Sequence, residues 1–306
     1  MSLPPFTLLA PTSLNEACTL LEKHQGKIKT KAGGTDMIVR LSHRAVKPDY
    51  LMTLKKIPNL DGISYNPETG LEIGALALLR EVEISPLILE HAQMLARAAH
   101  ATATVQIRNM GTVMGNVCNA SPSADNIPTL VAMNARIVAF TGIQKREIPI
   151  DEFFLGPGRT SLQNHELAIA IKVPTLAPKS GVSYQKISAR SKVDIAAVNI
   201  GTMVTLNETG ACQAVRISMG AVGPTPLRAT QAESYLLGKK ITDETLAEAG
   251  RLAAEDASPI SDVRASREYR KLMVEVLTTR ALKEAAGFAS GQSSIASGQS
   301  SIVSGQ

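Results

Sequence analysis

Cysteine and histidine are scarce in this 306-residue sequence, which contains three cysteines and five histidines. The cysteines, Cys18, Cys118 and Cys212, are far apart, so the sequence offers neither a disulfide framework nor a CxxC metal or redox motif. The histidines show no HxH or HExxH spacing. We therefore expect no metal site and no iron–sulfur cluster in this chain.

Long apolar runs and tryptophan are also lacking. No stretch approaches the roughly 18 apolar residues that a membrane span requires, and the start of the chain lacks a charged region followed by an apolar signal core. The net charge is +5, but the basic residues are scattered and aromatic residues make up only 3%. Nucleic-acid binding is therefore disfavoured. We predict a cytoplasmic protein whose positive charge suits an anionic cofactor or an acidic partner subunit.

What is present predicts an ordinary globular protein of about two domains, since 44% of the residues are hydrophobic. Ser13 and Glu16 form a capping-box pattern at the start of a helix over 13–24. A strand over 28–32 then runs into Gly33-Gly34-Thr35-Asp36 and a second helix. The predicted order is strand, glycine turn and helix.

Further patterns predict the rest of the first domain. Strands are expected at 50–54, 60–63, 71–73, 137–140 and 167–173, and helices at 80–83, 86–99 and 127–135. The run from Arg108 to Asp125 is rich in Gly, Asn and Ser, which predicts a long irregular segment. Loops of that length in compact domains are often functional.

Two prolines and a glycine in 174–181 predict a domain boundary. Strands are expected at 182–190, 195–206 and 211–221 as an antiparallel meander, followed by helices at 228–237, 243–254 and 266–286, the last stopping at Gly287. We predict a first domain at 1–176, divided into 1–57 and 58–176, and a second at 177–287. The tail at 288–306 repeats Ser-Gly-Gln-Ser-Ser-Ile and is too polar to build a core.

Two loops of small residues carry candidate chemistry. Glycines in the Gly33-Gly34 turn would let a phosphate approach the first amides of the following helix. The alternative is a turn without a ligand, as most Gly-Gly turns are. The turn also lacks the GxGxxG pattern of dinucleotide-binding folds. The run at 108–125 supplies glycines, hydroxyls, amides and a carboxylate. Together they favour a long polar ligand such as a dinucleotide, the alternative being two unrelated loops.

A family resemblance covers nearly everything from Pro5 to Ala286. The stretches Ala32–Asp36, Thr112–Asn116 and Ala120–Asp125 resemble the two FAD-binding loops of the xanthine dehydrogenase and carbon monoxide dehydrogenase flavoproteins. The C-terminal half is similar to the second domain of that family at further positions, namely Tyr184-Gln185-Lys186, Arg190, Asp194-Ile195-Ala196, Gly223–Ala229, Asp262–Ser266 and Tyr269-Arg270.

The resemblance implies an α+β fold, with a two-subdomain FAD-binding domain of the PCMH-like type followed by a smaller α+β domain containing a three-stranded antiparallel sheet and helices. It also implies the residues that bind FAD. The first loop would contribute Lys31, Ala32, Gly33, Gly34, Thr35 and Asp36. The second loop would contribute Thr112, Gly115, Asn116, Asn119 and Asp125. Leu167 would pack on the adenine.

By the same resemblance, Lys186 and Asp194 lie near the isoalloxazine ring, where a cation would stabilise reduced flavin. An ordinary surface pair is the alternative interpretation for these two residues. One position departs from the family, because Met114 stands where the family has the first of two adjacent glycines. If that position required a positive φ, the strain would be of order 1–2 kcal/mol.

The resemblance further implies an oxidoreductase subunit that passes electrons through FAD, in either direction. The molybdenum cofactor and two-iron clusters would belong to a large and a small partner subunit, in a dimer of heterotrimers. No residue of this chain would be catalytic towards the organic substrate. The alternatives are an assembly subunit that has lost FAD and a stand-alone flavin reductase, and the sequence identifies neither the substrate nor the electron acceptor.

Overall fold

A computed structural model describes residues 3–191 and 193–291. The helices in this part of the chain are α1 Leu14–Lys23, α2 Thr35–Ser42, α3 Leu79–Ile84, α4 Pro86–His91, α5 Gln93–His100, α6 Val105–Arg108, α7 Val113–Asn119, α8 Asn126–Ala132, α9 Thr230–Leu236, α10 Asp243–Asp256 and α11 Arg267–Ala289. The strands are β1 Thr7–Leu9, β2 Ile28–Lys31, β3 Tyr50–Thr53, β4 Ile63–Asn66, β5 Gly70–Gly74, β6 Arg136–Phe140, β7 Lys145–Pro149, β8 Phe154–Gly156, β9 Arg159–Thr160, β10 Leu167–Val173, β11 Ser180–Ser188, β12 Ala196–Leu206, β13 Cys212–Gly220 and β14 Leu227–Arg228. A 3-10 turn lies at Ile150–Glu152.

The first sheet is small and parallel, in the order β1-β3-β2. Helix α1 begins at its N-cap Ser13, whose hydroxyl accepts the amide of Glu16 at 3.1 Å. The Glu16 carboxylate accepts the amide of Thr12 at 2.8 Å, one residue before the position that a capping box requires. The helix was predicted correctly, but the Glu16 carboxylate accepts the amide of Thr12 and not that of the N-cap Ser13.

The second sheet is antiparallel, in the order β4-β5-β10-β6-β7, and its core includes side chains from α3, α4, α5, α7 and α8. Strand β4 begins at Ile63, where the sequence predicted a strand to end, because Leu60 is buried in a loop and packs with the core of the first sheet. The turn to β5 was predicted correctly. The Asn66 carboxamide accepts the amides of Glu68 and Thr69, and Gly70 has a φ of +89°.

The segment 108–125 is more ordered than predicted, because its middle forms helix α7. Met114 lies in the first turn of α7, is only 3% exposed and packs in the core of the second sheet. It is not among the residues with a positive φ. The condition for backbone strain at Met114 is therefore not met, since the helical position accepts a bulky side chain.

The third sheet is antiparallel, in the order β11-β12-β13-β14, and α9, α10 and α11 complete its core. The predicted meander of three strands is present, with the two-residue β14 added at its edge. Helix α11 runs through Gly287 to Ala289, so the predicted stop at Gly287 is wrong. Most of the predicted tail repeat lies outside the described residues.

The face of the third sheet opposite α10 and α11 packs on α8 of the preceding unit. The closest approach is at Gly201 in β12, where an added Cβ would lie 2.5 Å from the carbonyl oxygen of Pro128. This close packing fixes the third sheet against the unit that carries the two small-residue loops. The mixed helix-and-sheet architecture agrees with the predicted α+β class.

Replacement of Gly201 by alanine should lower the free energy of unfolding by about 1–3 kcal/mol, because α8 or β12 must shift to admit a methyl group. The matched control is Gly62→Ala, since an added Cβ at Gly62 meets no atom within 4 Å, and a change within about 0.5 kcal/mol is expected there. Urea unfolding followed by circular dichroism measures both. Equal stability of the two variants would show that this contact is not tight.

Candidate functional site

A cavity of about 570 Å³ lies between the loops of the first and second sheets and the segment that precedes β12. Its volume is within the range of small-molecule and cofactor sites. Of the residues predicted to bind a cofactor, the structure brings to the cavity wall Lys31, Ala32, Gly33, Gly34, Thr35, Asp36, Thr112, Gly115, Asn116, Asn119, Asp125, Leu167 and Asp194. Lys186 is the predicted residue that does not line the wall.

The first wall is the turn between β2 and α2. Gly34 is the N-cap of α2 with a φ of +87°, a conformation that favours glycine. The amides of the first turn of α2 have no acceptor within the helix, because helix geometry leaves the first four N–H groups without partners. The turn therefore presents amide donors and the positive end of a helix dipole to the cavity.

Gly33 lies against the second loop. An added Cβ at Gly33 would be 1.9 Å from the carbonyl oxygen of Met110. The next residue of the second loop, Gly111, accepts a hydrogen bond at 2.8 Å from the amide of Leu79 at the start of α3. A side chain at Gly33 would therefore push the first loop away from the second loop, which α3 of the second sheet holds in place.

A polar contact also joins the two loops, since the Asn119 amide donates to the Asp36 carboxylate at 3.2 Å. Asn119 is the last residue of α7, and Asp36 lies in the first turn of α2. The two segments that the sequence singled out separately thus form one continuous wall.

Helix α7 arranges the second group of donors and acceptors. Its N-cap Thr112 accepts the amide of Gly115 at 2.9 Å. The Asn116 side chain accepts a hydrogen bond at 3.2 Å from the amide of Asn126, which also donates to Thr102 at 3.2 Å. Asn116 is therefore held in one orientation at the cavity by buried polar partners.

Asp125 is a buried carboxylate in the cavity wall, 7% exposed. The Tyr184 hydroxyl donates to it at 2.8 Å and the Lys186 ammonium donates to it at 3.0 Å. Burial raises the pKa of Asp125, whereas the positive charge of Lys186 and these hydrogen bonds act in the opposite direction. Lys186 therefore lies behind the wall and contacts a residue that lines it.

Asp194 lines the cavity from the segment before β12. Arg190 donates to its carboxylate at 2.8 and 3.0 Å, and the amide of Ile195 donates at 2.8 Å. The hydrogen bonds from Arg190, then that from Ile195, lower the pKa of Asp194 to about 2. Asp194 is thus a carboxylate at neutral pH.

Another part of the wall is more apolar and includes Leu54, Leu162 and Leu167. The buried Glu166 lies beside them, and Arg146 donates to its two carboxylate oxygens at 2.7 and 2.8 Å. The hydrogen bonds from Arg146 contribute most to lowering the pKa of Glu166. Its carboxylate also accepts the amide of Gln163 at 2.8 Å, which fastens the loop that carries Leu162.

Sequence reasoning missed several wall residues, including Thr30, Arg40, Leu54, Ala103, Leu162, Glu166, Val193 and Ile195. Arg40 is one turn after Asp36 in α2, so helix periodicity could have indicated it. With Lys31, it adds a second cation to the wall beside the amide donors. Burial lowers the pKa of Lys31, and the neighbouring charge of Lys55 lowers it further.

Among the described residues, Cys118 is the one cysteine that lines the cavity. Burial raises the pKa of its thiol to about 12, which keeps the thiol protonated at neutral pH. Across residues 3–191 and 193–291, no three His, Cys, Asp or Glu side chains are grouped so as to hold a metal ion. In the same residues, the helices are too short or too polar to span a membrane.

Two family models match most of the chain. Residues 4–176 match the FAD binding domain in molybdopterin dehydrogenase, and residues 183–285 match the CO dehydrogenase flavoprotein C-terminal domain.

Relatives match along nearly their whole length. The chain is 32% identical over 283 residues to the carbon monoxide dehydrogenase medium chain of Hydrogenophaga pseudoflava, which covers 92% of this chain and 97% of that protein. It is 30% identical over 283 residues to the glyceraldehyde dehydrogenase medium chain of Sulfolobus acidocaldarius, covering 92% and 99%. A solved structure of carbon monoxide dehydrogenase from Hydrogenophaga pseudoflava superposes with a TM-score of 0.89 at 32% identity, covering 93% of this chain and 98% of that chain. The resemblance and the fold class predicted from the sequence are confirmed.

The Arg146 pair should make stability depend on Glu166 in acid. Because the folded-state pKa of Glu166 is lowered, the pair stabilises the fold above the ordinary glutamate pKa of about 4.3, and this contribution is lost as pH falls through the folded value. Glu166→Gln should therefore lose less thermal stability than the unmodified protein between about pH 5 and pH 3. The exposed turn residue Glu68, changed to Gln, is the control, and a Glu166→Gln profile parallel to the unmodified one would contradict the assignment.

Proposed function

Because the chain belongs to the FAD-binding medium subunits of the molybdenum hydroxylase family, we propose that it transfers electrons through bound FAD within a heteromeric oxidoreductase. The observation that supports this most directly is the single cavity wall that the two small-residue loops form together. When bound, FAD accepts and releases one or two electrons. The residues of this chain bind the cofactor, orient it and exclude water from it.

The wall fits the parts of FAD in turn. The amides at the start of α2, with Lys31 and Arg40, suit the pyrophosphate, because helix N-termini and cations bind anions. The carboxamides of Asn116 and Asn119 and the Asp125 carboxylate suit the hydroxyl groups of the ribityl and ribose chains. The apolar surface around Leu162 and Leu167 suits the adenine ring.

Val193, Asp194 and Ile195, which line the wall just before β12, would then face the isoalloxazine ring. The Asp194 carboxylate is held by Arg190 and so cannot swing freely towards a ligand. We also propose Lys186 near the ring, where its ammonium donates to the wall residue Asp125.

The chain would work with two partner subunits. We propose that a small subunit with two-iron clusters delivers electrons to FAD or takes them from it, and that a large subunit with the molybdenum cofactor acts on the organic substrate. The complex would be a dimer of these heterotrimers in the cytoplasm. In this arrangement residues 1–176 form the FAD domain and 177–287 form the domain that closes the cavity.

FAD retention should depend on the glycine that lets the loops meet. Gly33→Ala should abolish most FAD binding, because its methyl group would displace the Met110 carbonyl and separate the two loops. Flavin absorbance after denaturation, relative to protein, measures occupancy, with Gly62→Ala as the control for a glycine in open space. Full occupancy in Gly33→Ala would show that the cofactor lies elsewhere.

Absence of flavin from the unmodified chain and from its purified complex would favour an assembly subunit that has lost FAD. A chain that purifies with flavin but without molybdenum and iron, and reduces flavin with a nicotinamide, would favour a stand-alone reductase. Either result contradicts the proposed electron-transfer role.

Electron transfer itself can be tested without knowing the organic substrate. The purified complex is reduced with dithionite, freed of the excess and mixed with an external acceptor, while cluster absorbance is followed. Reoxidation of the clusters should be fast in the complex with FAD and much slower in the Gly33→Ala complex, because FAD is the exit for their electrons. Equal rates would place the exit outside this chain.

A further inference from the structure

Arg108 is a buried cation at the end of α6, with 4% of its surface exposed. Its guanidinium Nε donates at 2.8 Å to the carboxylate of Glu83 in α3, which is 2% exposed. The residues that line the cavity include neither of the two. A charged pair buried this fully contributes little net stability, because each charge loses its hydration. The role of Arg108 therefore depends on its other contacts.

The far end of the guanidinium contacts the backbone of the cavity wall. The Nη1 of Arg108 donates to the carbonyl oxygens of Thr102 and Ala103 at 3.3 and 3.0 Å. Both of these residues line the cavity. A guanidinium is planar and holds its donors in a fixed fork, so the contact with Glu83 on one edge fixes the direction of the other donors. Arg108 thus ties the segment 102–103 to α3.

Glu83 is itself held in one orientation. The Arg80 Nη1 and the His100 Nδ1 lie 3.0 and 2.7 Å from its Oε1, while its Oε2 accepts the bond from Arg108. Burial acts to raise the pKa of Glu83, but the hydrogen bond from His100 and the charge of Arg108 act against it, and the pKa lies below its ordinary value. Glu83 is therefore a fixed carboxylate at neutral pH.

Ala103 has a backbone conformation that needs support. Its φ is +48°, in the left-handed region where a Cβ lies too close to the following carbonyl oxygen. Residues other than glycine stay in this region only where their surroundings hold them there. The guanidinium that donates to the Ala103 carbonyl is such a restraint. Without it, the segment would be free to adopt conformations with a negative φ at Ala103.

We propose that Arg108 is a positioning residue, which sets FAD affinity by holding Ala103 in its left-handed conformation in the cavity wall. This inference rests on the proposed FAD function. It deepens that function by assigning a part in cofactor retention to an ion pair outside the wall. A wall segment that already has the bound conformation costs the ligand no ordering when it binds.

A double-mutant cycle on the full chain tests the proposal. FAD dissociation constants are measured by flavin fluorescence for Arg108→Lys, Ala103→Gly and the double variant. A lysine can still pair with Glu83 but lacks the fork that reaches the two carbonyls. Arg108→Lys should therefore weaken FAD binding roughly tenfold, as expected for a lost hydrogen bond from a charged donor. In the Ala103→Gly background the same change should weaken binding no more than about twofold, because glycine adopts a positive φ without support.

Ala221→Gly is the matched control, since Ala221 has a φ of +63° and is not among the residues that line the cavity. In that background Arg108→Lys should still weaken FAD binding roughly tenfold, because the two sites are independent. A role of Arg108 in folding alone would give the same loss of affinity in both backgrounds, and that result would overturn the proposal. Unchanged affinity in Arg108→Lys would overturn it too.

If Arg108→Lys does not fold, as circular dichroism would show, Glu83→Gln takes its place in the cycle. An uncharged partner holds the guanidinium less firmly, so the same pattern is expected, and an equal loss of affinity in the two alanine-to-glycine backgrounds counts against the proposal. Failure of the unmodified chain to bind FAD would instead contradict the proposed function, so the two failures are distinguishable.

Discussion

The close approach of Gly33 to the carbonyl of Met110 is the contact on which the cavity depends. It brings the end of the first parallel sheet against a loop that the helices of the second sheet hold in place, with no space for a side chain between them. Because the contact is between backbones, it fixes the loops more firmly than flexible side chains could. The hydrogen bond from Asn119 to Asp36 then closes the wall over the same junction.

The third sheet is needed for a different reason. The first two sheets bury a carboxylate, Asp125, without supplying a cation for it, and such a group is costly unless it is paired. Lys186 and Tyr184 supply the charge and the hydrogen bond from outside the unit that carries the loops. Gly201 allows this, because only a residue without a side chain lets β12 lie against Pro128 closely enough. Packing between the units and polarity of the cavity are therefore linked.

The sequence predicted the parts of this arrangement that are local. The order of strand, glycine turn and helix at 28–42 follows from hydrophobic periodicity and two glycines, and the meander after residue 180 follows from alternation and the turn at Asn207. Prediction from the sequence failed where contacts between residues distant in the chain determine the conformation. Met114 departs from the family's paired glycines, yet capping by Thr112 makes it helical and the core accepts its side chain. The sequence did not predict the ion-pair partners of Glu166 and Lys186, because those partners are 20 and 61 residues away.

The polar groups of the wall are suited to hydrogen bonding with a bound cofactor. They are amides, hydroxyls, carboxamides, the cations of Lys31 and Arg40, and carboxylates that contact neighbouring side chains. Relatives named for carbon monoxide and for glyceraldehyde nevertheless match this chain over nearly their whole length. What chains with such different names have in common cannot be recognition of one substrate. We propose that it is the retention of a common cofactor, here by two loops that meet at Gly33 and by the buried Asp125 carboxylate.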